Sequence, residues 1–335
     1  MLQPPKRSIS RRAALLGMTS AGLAASGLAG CATAEPASAV GGRRTLRVGM
    51  LRISPHLMAP RFYARFLPPE LAVETLAFNN STEIKTAVVT GSVDFAVTGV
   101  TAALQGASRG EPFVVLAAAA DGASAIVARN DLGIDSPEQL AGKRIGYVPG
   151  SAQDVLLRLS LRARGMNADK DVRLVKVGFG DMPNALERGD IDAFSGAETG
   201  PSVALLRGRS HVVLHPYETP MGKINIVFGT SRALLDREPE LCRTLVETHA
   251  RATEHMAQNP EEWARATTKA WGAKLEAVQL AIQNIALRWK LDAAYVAQAR
   301  VLGEQLETLR QIKRQPDYDT FIAPQLVRAL EDRTG

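Results

Sequence analysis

The residues of this chain whose types and spacing best suit chemistry lie in the stretch Lys143 to Gly165, KRIGYVPGSAQDVLLRLSLRARG. Ile145, Tyr147 and Val148 have strand chemistry, and Pro149-Gly150 stops the strand. Ser151 can then cap a helix in which Val155, Leu156, Leu159 and Leu161 recur at roughly helical spacing. Such a turn sets a helix start, with its free backbone N–H groups and positive dipole end, at the carboxyl end of a strand. That is chemistry for holding an anion, and open α/β sheets bind ligands in this crevice.

Covalent and metal chemistry have less to work with. Cys242 lies in Leu241-Cys242-Arg243-Thr244-Leu245, on an amphipathic helical pattern, and reads as a small buried residue. His211, His215, His249 and His255 form no metal-ligand spacing, and HExxH does not occur. No cofactor, metal site or catalytic residue is therefore expected. The other cysteine has a different use. Lys6, Arg7, Arg11 and Arg12 precede a glycine-broken apolar run from Ala13 to Ala29, which fits an export signal over residues 1–30 better than a membrane span. Arg11-Arg12 is similar to a twin-arginine signal, although Ala14 stands where that pattern has a large apolar residue, so the general secretory route stays open. Leu28-Ala29-Gly30-Cys31 looks like a bacterial lipobox, in which Cys31 is acylated and becomes the mature N-terminus. Residues 31–44, rich in Ala, Ser, Pro and Gly, would be the leash of a membrane-anchored lipoprotein on the extracytoplasmic side. With Cys31 acylated, Cys242 has no disulfide partner, and the fold must rest on its core.

The chain is large enough for that core. Its 335 residues are 46% hydrophobic and 22% charged, which suits two ordinary globular lobes rather than a disordered chain. The net charge of +6 includes four cations in the first thirty residues, which hold no acid, so the remainder carries only +2. That is no signal for nucleic acid.

From Thr45 strands and helices alternate. Strands are expected at residues 45–52, 72–78, 94–99 and 112–120, with helices at 55–67, 81–90 and 101–109 between them, the pattern of right-handed βαβ units on a largely parallel sheet. Asn80 with Glu83 and Ser136 with Gln139 make capping-box starts, while Gly91, Gly110 and Gly165 sit where helices should end. A second α/β unit has strands at 124–129, 143–148, 172–177, 192–195 and 211–214. An apolar strand follows at 224–231, and beyond Glu238 nearly everything reads as helix, with Trp263, Trp271 and Trp289 as core. If the 224–231 strand returns to the first sheet, the second unit is inserted into the first. Domain 1 is then 45–121 plus 222–335 and domain 2 is 122–221, joined by two hinge crossings.

Four stretches carry a family resemblance: EIKTAVVTGSVDFAVTG (83–99), SPEQLAGKRIGYVPGS (136–151), ALERGDIDAFSGAETGP (185–201) and NPEEW (259–263). Together they resemble the solute-binding proteins of ABC importers, in the family serving aliphatic sulfonates, taurine, nitrate and related molecules. That resemblance covers nearly the whole mature chain. It implies a two-lobed type II periplasmic-binding fold, a small-molecule ligand held between the lobes, and a transmembrane permease with a cytoplasmic ATPase as partners, the binding protein itself acting as a monomer. It also implies a cleft lined by loops at strand carboxyl ends. Here these are Ser54 and His56, Asn79-Asn80-Ser81 and Gly99-Val100-Thr101 in the first lobe, and Gly150-Ser151-Ala152 and Glu198 in the second, with Asp121 beside a crossing. The helix starts near Ser81, Thr101 and Ser151 could share one sulfonate- or carboxylate-sized anion, with Lys143 and Arg52 outside the crevice. Glu198 and Asp121 leave room for a nitrogen-bearing ligand end, and Phe62, Tyr63, Tyr147 and Tyr217 could form one wall. The alternatives are a thiamine-pyrimidine-type precursor or other nitrogen heterocycle as ligand, and a ligand-sensing lipoprotein. An enzyme of the thiamine-pyrimidine type shares this fold but uses a cysteine- and histidine-rich site that has no counterpart here.

Overall fold

The computed structural model describes residues 39–40, 42–52 and 54–334. The export signal, Cys31 and residues 32–38 and 41 of the leash lie outside the described residues. In chain order the first elements are β1 (Ala39–Val40), β2 (Arg43–Leu51), β3 (Leu71–Phe78), α1 (Ser81–Val89), β4 (Phe95–Gly99), α2 (Val100–Ser108) and β5 (Phe113–Gly122). There follow β6 (Ser124–Arg129), β7 (Arg144–Tyr147), α3 (Ala152–Arg162), β8 (Arg173–Lys176), α4 (Met182–Arg188), β9 (Ala193–Ala197), α5 (Gly200–Leu206) and β10 (Ser210–Leu214). The last part is β11 (Ile224–Ser231), α6 (Arg232–Arg237), α7 (Pro239–Gln258), α8 (Pro260–Trp271), α9 (Leu275–Ile282), β12 (Ile285–Leu287), α10 (Ala293–Thr308), α11 (Tyr318–Phe321) and α12 (Gln325–Thr334).

These strands make two sheets. The first runs β1-β2-β4-β11-β5-β12 with β3 added on β2, and the second runs β10-β6-β9-β7-β8. The chain leaves the first sheet at the end of β5, builds the second, and returns as β11, as the insertion pattern requires. The first sheet is mixed, however, where a largely parallel one was expected. β2 is parallel to both β3 and β4, but β11 is antiparallel to β4 and β5, with Val227 opposite both Thr98 and Ala118. The reason is the site of return. Ile224 re-enters beside Asp121, at the end where β5 left, so a short connection can only send β11 back the opposite way. β11 is buried over nearly its whole length and β5 throughout, which explains their unbroken apolar runs.

Other local signals play out as chemistry dictates. Asn80 Oδ1 caps α1 by accepting the Glu83 N–H at 2.9 Å, while the Glu83 carboxylate reaches back to the Asn79 N–H at 3.2 Å, one residue before the cap, so the expected box is only half formed. Gln139 Oε1 accepts the Ser136 N–H at 2.9 Å, but that box opens a single 3-10 turn. The helix expected at 55–67 is instead two 3-10 segments, Pro55–Leu57 and Ala59–Arg65. Pro55 and Pro60 each lack an N–H and keep an α-helical ladder from spanning the segment. Beyond Glu238 the named elements are helices except for β12, which pairs with residues 120–122. The first sheet and the C-terminal helices share one core that includes Phe228, Cys242, Leu245, Trp263 and Tyr295. The second sheet has a core on each face, around Ile126 and Leu157 on one side and Val127, Met182 and Phe194 on the other. No helix among the described residues is long and apolar enough to cross a membrane.

Candidate functional site

Where the two sheets meet, three helix starts surround one cavity of about 430 Å³. Leu51, His56, Asn80, Ser81, Gly99, Thr101, Asn225 and Ile226 line it from the first sheet's side, and residues 148–153, Phe179 and Ala197 from the second's. α1 and α2 are tied together at their starts. The Gly99 N–H donates to Ser81 Oγ at 3.0 Å, and Thr98 Oγ1 donates to the Ser81 carbonyl at 3.2 Å. This close approach needs a glycine, because a Cβ at position 99 would stand 2.8 Å from Ser81 Oγ. Gly99 also has no side chain with which to cap α2, so the first N–H groups of that helix have no side-chain partner from their own cap.

At α3 the cap is closed. Ser151 Oγ accepts the Asp154 N–H at 3.2 Å and donates to the Val148 carbonyl at 2.7 Å, and the Asp154 carboxylate takes the Gly150 N–H at 2.9 Å. Gly150 adopts φ +72°, the left-handed turn that points the chain into α3. Gln153, 3% exposed, donates from Nε2 to Ser124 Oγ at 2.9 Å.

Two polar atoms of this cavity's lining, both on the first sheet's side, are buried and unsatisfied. Thr101 is 1% exposed and its Oγ1 has no hydrogen-bond partner; His56 is 3% exposed and its Nδ1 has none. Burial pushes the His56 imidazole down to about 3, so the ring is neutral at ordinary pH. Glu83, on the cavity's edge, is occupied by the α1 cap. The cavity thus offers helix dipoles, neutral hydroxyl, amide and imidazole groups, and an apolar lining of Leu51, Ala102, Phe179 and Ile226, with no basic side chain.

A second cavity of about 360 Å³ adjoins it, sharing Leu51, Phe179 and Ala197. Arg52, Ser54, Asn79, Asp181, Glu198 and Arg207 are among its lining residues. Glu198 is 5% exposed, with its carboxylate accepting from Ser202 Oγ at 2.8 Å and Asn284 Nδ2 at 3.2 Å. Burial raises its pKa and these hydrogen bonds oppose the rise.

Of the residues singled out in the sequence, His56, Asn80, Ser81, Gly99, Thr101, Gly150, Ser151 and Ala152 line the first cavity, and Ser54, Asn79 and Glu198 the second. Two lie elsewhere. Val100 is buried in the first core, because the first residue of α2 turns its side chain inward. Asp121 is paired with Arg288 at 3.0 Å beside the crossing, with its carboxyl raised chiefly by burial, and it makes no close pair with Glu198. Arg52 corrects an expectation in the other direction: it was placed outside the crevice, but β2 ends at Leu51 and the chain turns there, so strand alternation no longer fixes its side. The proposed aromatic wall is also absent from the cavity. Phe62 and Tyr63 are in the first core, and Tyr217 sits at the crossing, accepting the Ser124 N–H at 2.9 Å and donating to Asn284 Oδ1 at 2.7 Å. Tyr147 is buried and lines neither cavity. Asn225, Gln153 and Phe179 were missed. Only Asn225, a lone polar residue between Ile224 and Ile226, left a sequence signal.

Among the described residues no cluster of three or more His, Cys, Asp or Glu side chains could hold a metal. Cys242 is fully buried, and burial pushes its thiol up to about 12, far from a nucleophile's range.

Comparison with known proteins places this geometry. The model of a family described as NMT1/THI5 like matches residues 66–263. The alkanesulfonate-binding protein SsuA of Xanthomonas axonopodis pv. citri, bound to MOPS, superposes with a TM-score of 0.74 at 16% identity, over 85% of this chain and 99% of that one. The periplasmic nitrate-binding protein NrtA of Synechocystis PCC 6803 gives 0.72 at 18% identity, over 87% and 89%. The periplasmic aliphatic sulphonate binding protein SsuA of Escherichia coli gives 0.71 at 18%, over 83% and 92%. In sequence, the nitrate import ATP-binding protein NrtC of Synechococcus elongatus is 33% identical over 97 residues, 28% of this chain. The chain spans about 15% of that curated relative's length. At these identities the superpositions establish the periplasmic-binding fold.

Proposed function

The chain belongs to the NMT1/THI5-like family, and from that premise we propose that it is the extracytoplasmic solute-binding component of an ABC importer. It captures a small anionic organic solute, sulfonate- or carboxylate-like, between its lobes and hands it to a permease driven by a cytoplasmic ATPase. The observation that carries this reading is the cavity where α1, α2 and α3 all begin, with Thr101 Oγ1 buried beside it and unsatisfied. A buried hydroxyl without a partner is unfavourable, and a bound acceptor removes the penalty. Helix N-termini supply about half a positive charge each, together with free donors. Names of the structural relatives support the ligand class, and the NrtC similarity supports an ATPase partner.

In this reading Asn80, Ser81, Gly99, Thr101, Gly150, Ser151, Ala152 and His56 receive the acidic end of the solute, and Ser54, Asn79 and Glu198 face its remainder. Residues 45–121 with 222–335 form one lobe and 122–221 the other, closing about the crossings at Gly122–Ser124 and between Leu214 and Ile224. Cys31 carries the lipid that keeps the monomer at the membrane. In this reading the protein binds and releases its solute, as the printed names of its structural relatives, binding proteins for sulfonates and nitrate, support.

Calorimetric titration with propane-1-sulfonate, paired with small-angle scattering, tests the reading. Saturable binding with a smaller radius of gyration is the expected result, because contacts from both lobes exist together only in a closed form. Absence of binding by any small sulfonate or carboxylate would refute it.

A further inference from the structure

The cleft holds more room than a single acidic group needs. Its first compartment, with helix starts and no basic side chain, suits one oxyanion, yet a second compartment of similar size continues past Leu51 and Phe179. That compartment is charged on both walls. Arg52 comes from the turn after β2, on the first sheet's side, and Asp181 from the start of α4, on the second's. Both side chains are exposed, and among the described residues neither makes an ion pair or a hydrogen bond. The compartment's other charged groups are engaged: Arg207 with Glu187 at 2.7 Å, and Glu198 with Ser202 and Asn284.

We propose that the solute carries a dipolar head, an ammonium beside a carboxylate, at the end opposite its acid, and that Arg52 and Asp181 bind that head. This rests on the reading of the first compartment as the acid's site. A planar guanidinium suits a carboxylate, and an acid on the opposite wall suits the ammonium next to it. A second plain anion would satisfy Arg52 alone, and a plain amine Asp181 alone. Only a head bearing both charges satisfies both walls. The substrate class is thus an α-amino acid whose side chain ends in a sulfonate or carboxylate.

Three probes of increasing complexity separate the parts: propane-1-sulfonate with the acid alone, 3-sulfopropanoate with a carboxylate added, and cysteate with both charges. Titrated against the full chain, affinity should rise along the series, about tenfold or more for each charge satisfied. Arg52→Gln should erase the gain from the carboxylate and Asp181→Asn the gain from the ammonium, with propane-1-sulfonate binding unchanged in both. Both side chains are exposed, so thermal melting should match the parent. Equal affinity for the three probes would overturn the proposal. So would an equal loss for all three in both variants, which would make Arg52 and Asp181 an interlobe latch. Failure of every probe to bind would instead remove the underlying reading of the first compartment, and this proposal with it.

Discussion

Replacing Thr101 by Val separates a binding hydroxyl from a structural one, because the two roles predict opposite signs. Thr101 is 1% exposed at the start of α2, and its Oγ1 has no partner. Valine keeps the shape and puts a methyl where the hydroxyl was. The ligand-free protein should then be as stable as the parent or more so, since a buried unsatisfied polar group costs about 1–3 kcal/mol. Solute affinity should move the other way. A hydrogen bond to a charged group is worth about 1.5–3 kcal/mol, or roughly ten- to a hundredfold in Kd. Ser151→Ala is the contrast. Its Oγ is already used by the Val148 carbonyl and the Asp154 N–H, so its loss should cost stability, about 1 kcal/mol for a cap, and weaken binding less than Thr101→Val does. Urea denaturation without ligand and calorimetric titration with propane-1-sulfonate measure the two quantities. A Thr101→Val protein that is destabilised and binds as the parent does would refute the reasoning, because the hydroxyl would then be structural.

The remaining predictions concern packing, pH and the N-terminus. Gly99→Ala puts a Cβ 2.8 Å from Ser81 Oγ and should cost about 1–3 kcal/mol in thermal or urea unfolding, with weaker solute binding as α1 and α2 part; parental values in both assays would contradict the close approach. His56 and His249 are held neutral by burial, at about 3 and about 4, against an ordinary value of 6.5. The unfolded chain therefore binds more protons between those limits, and stability should fall as pH drops from 6.5 toward 4, by up to about 1.4 kcal/mol per pH unit for each histidine. The raised carboxyls of Asp121 and Glu198 oppose this trend, so His56→Gln is the comparison that isolates its part: an unchanged slope in that variant would count against a neutral buried His56. In cells, Cys31→Ser should leave an unprocessed precursor while the parent partitions into detergent; a parent whose mature N-terminus lies beyond Cys31 without lipid would exclude the anchor.

The sequence alone determined the features that local chemistry controls. Pro149-Gly150-Ser151 specified a strand end, a left-handed turn and a cap, and Asn80 with Glu83 specified the start of α1, because each depends on atoms within four residues. Strand and helix alternation, with the apolar run at 224–231, was enough to place one α/β unit inside another. What the sequence could not hold was decided by packing between distant segments. The antiparallel direction of β11 follows from where the second unit hands the chain back. The neutrality of His56 follows from burial, which its neighbours Pro55 and Leu57 do not announce. Asp121 was taken from the cleft by Arg288, a partner 167 positions away. Arg52 entered the cleft because β2 ends one residue before it, and beyond a strand's end the period of two no longer fixes which way a side chain points.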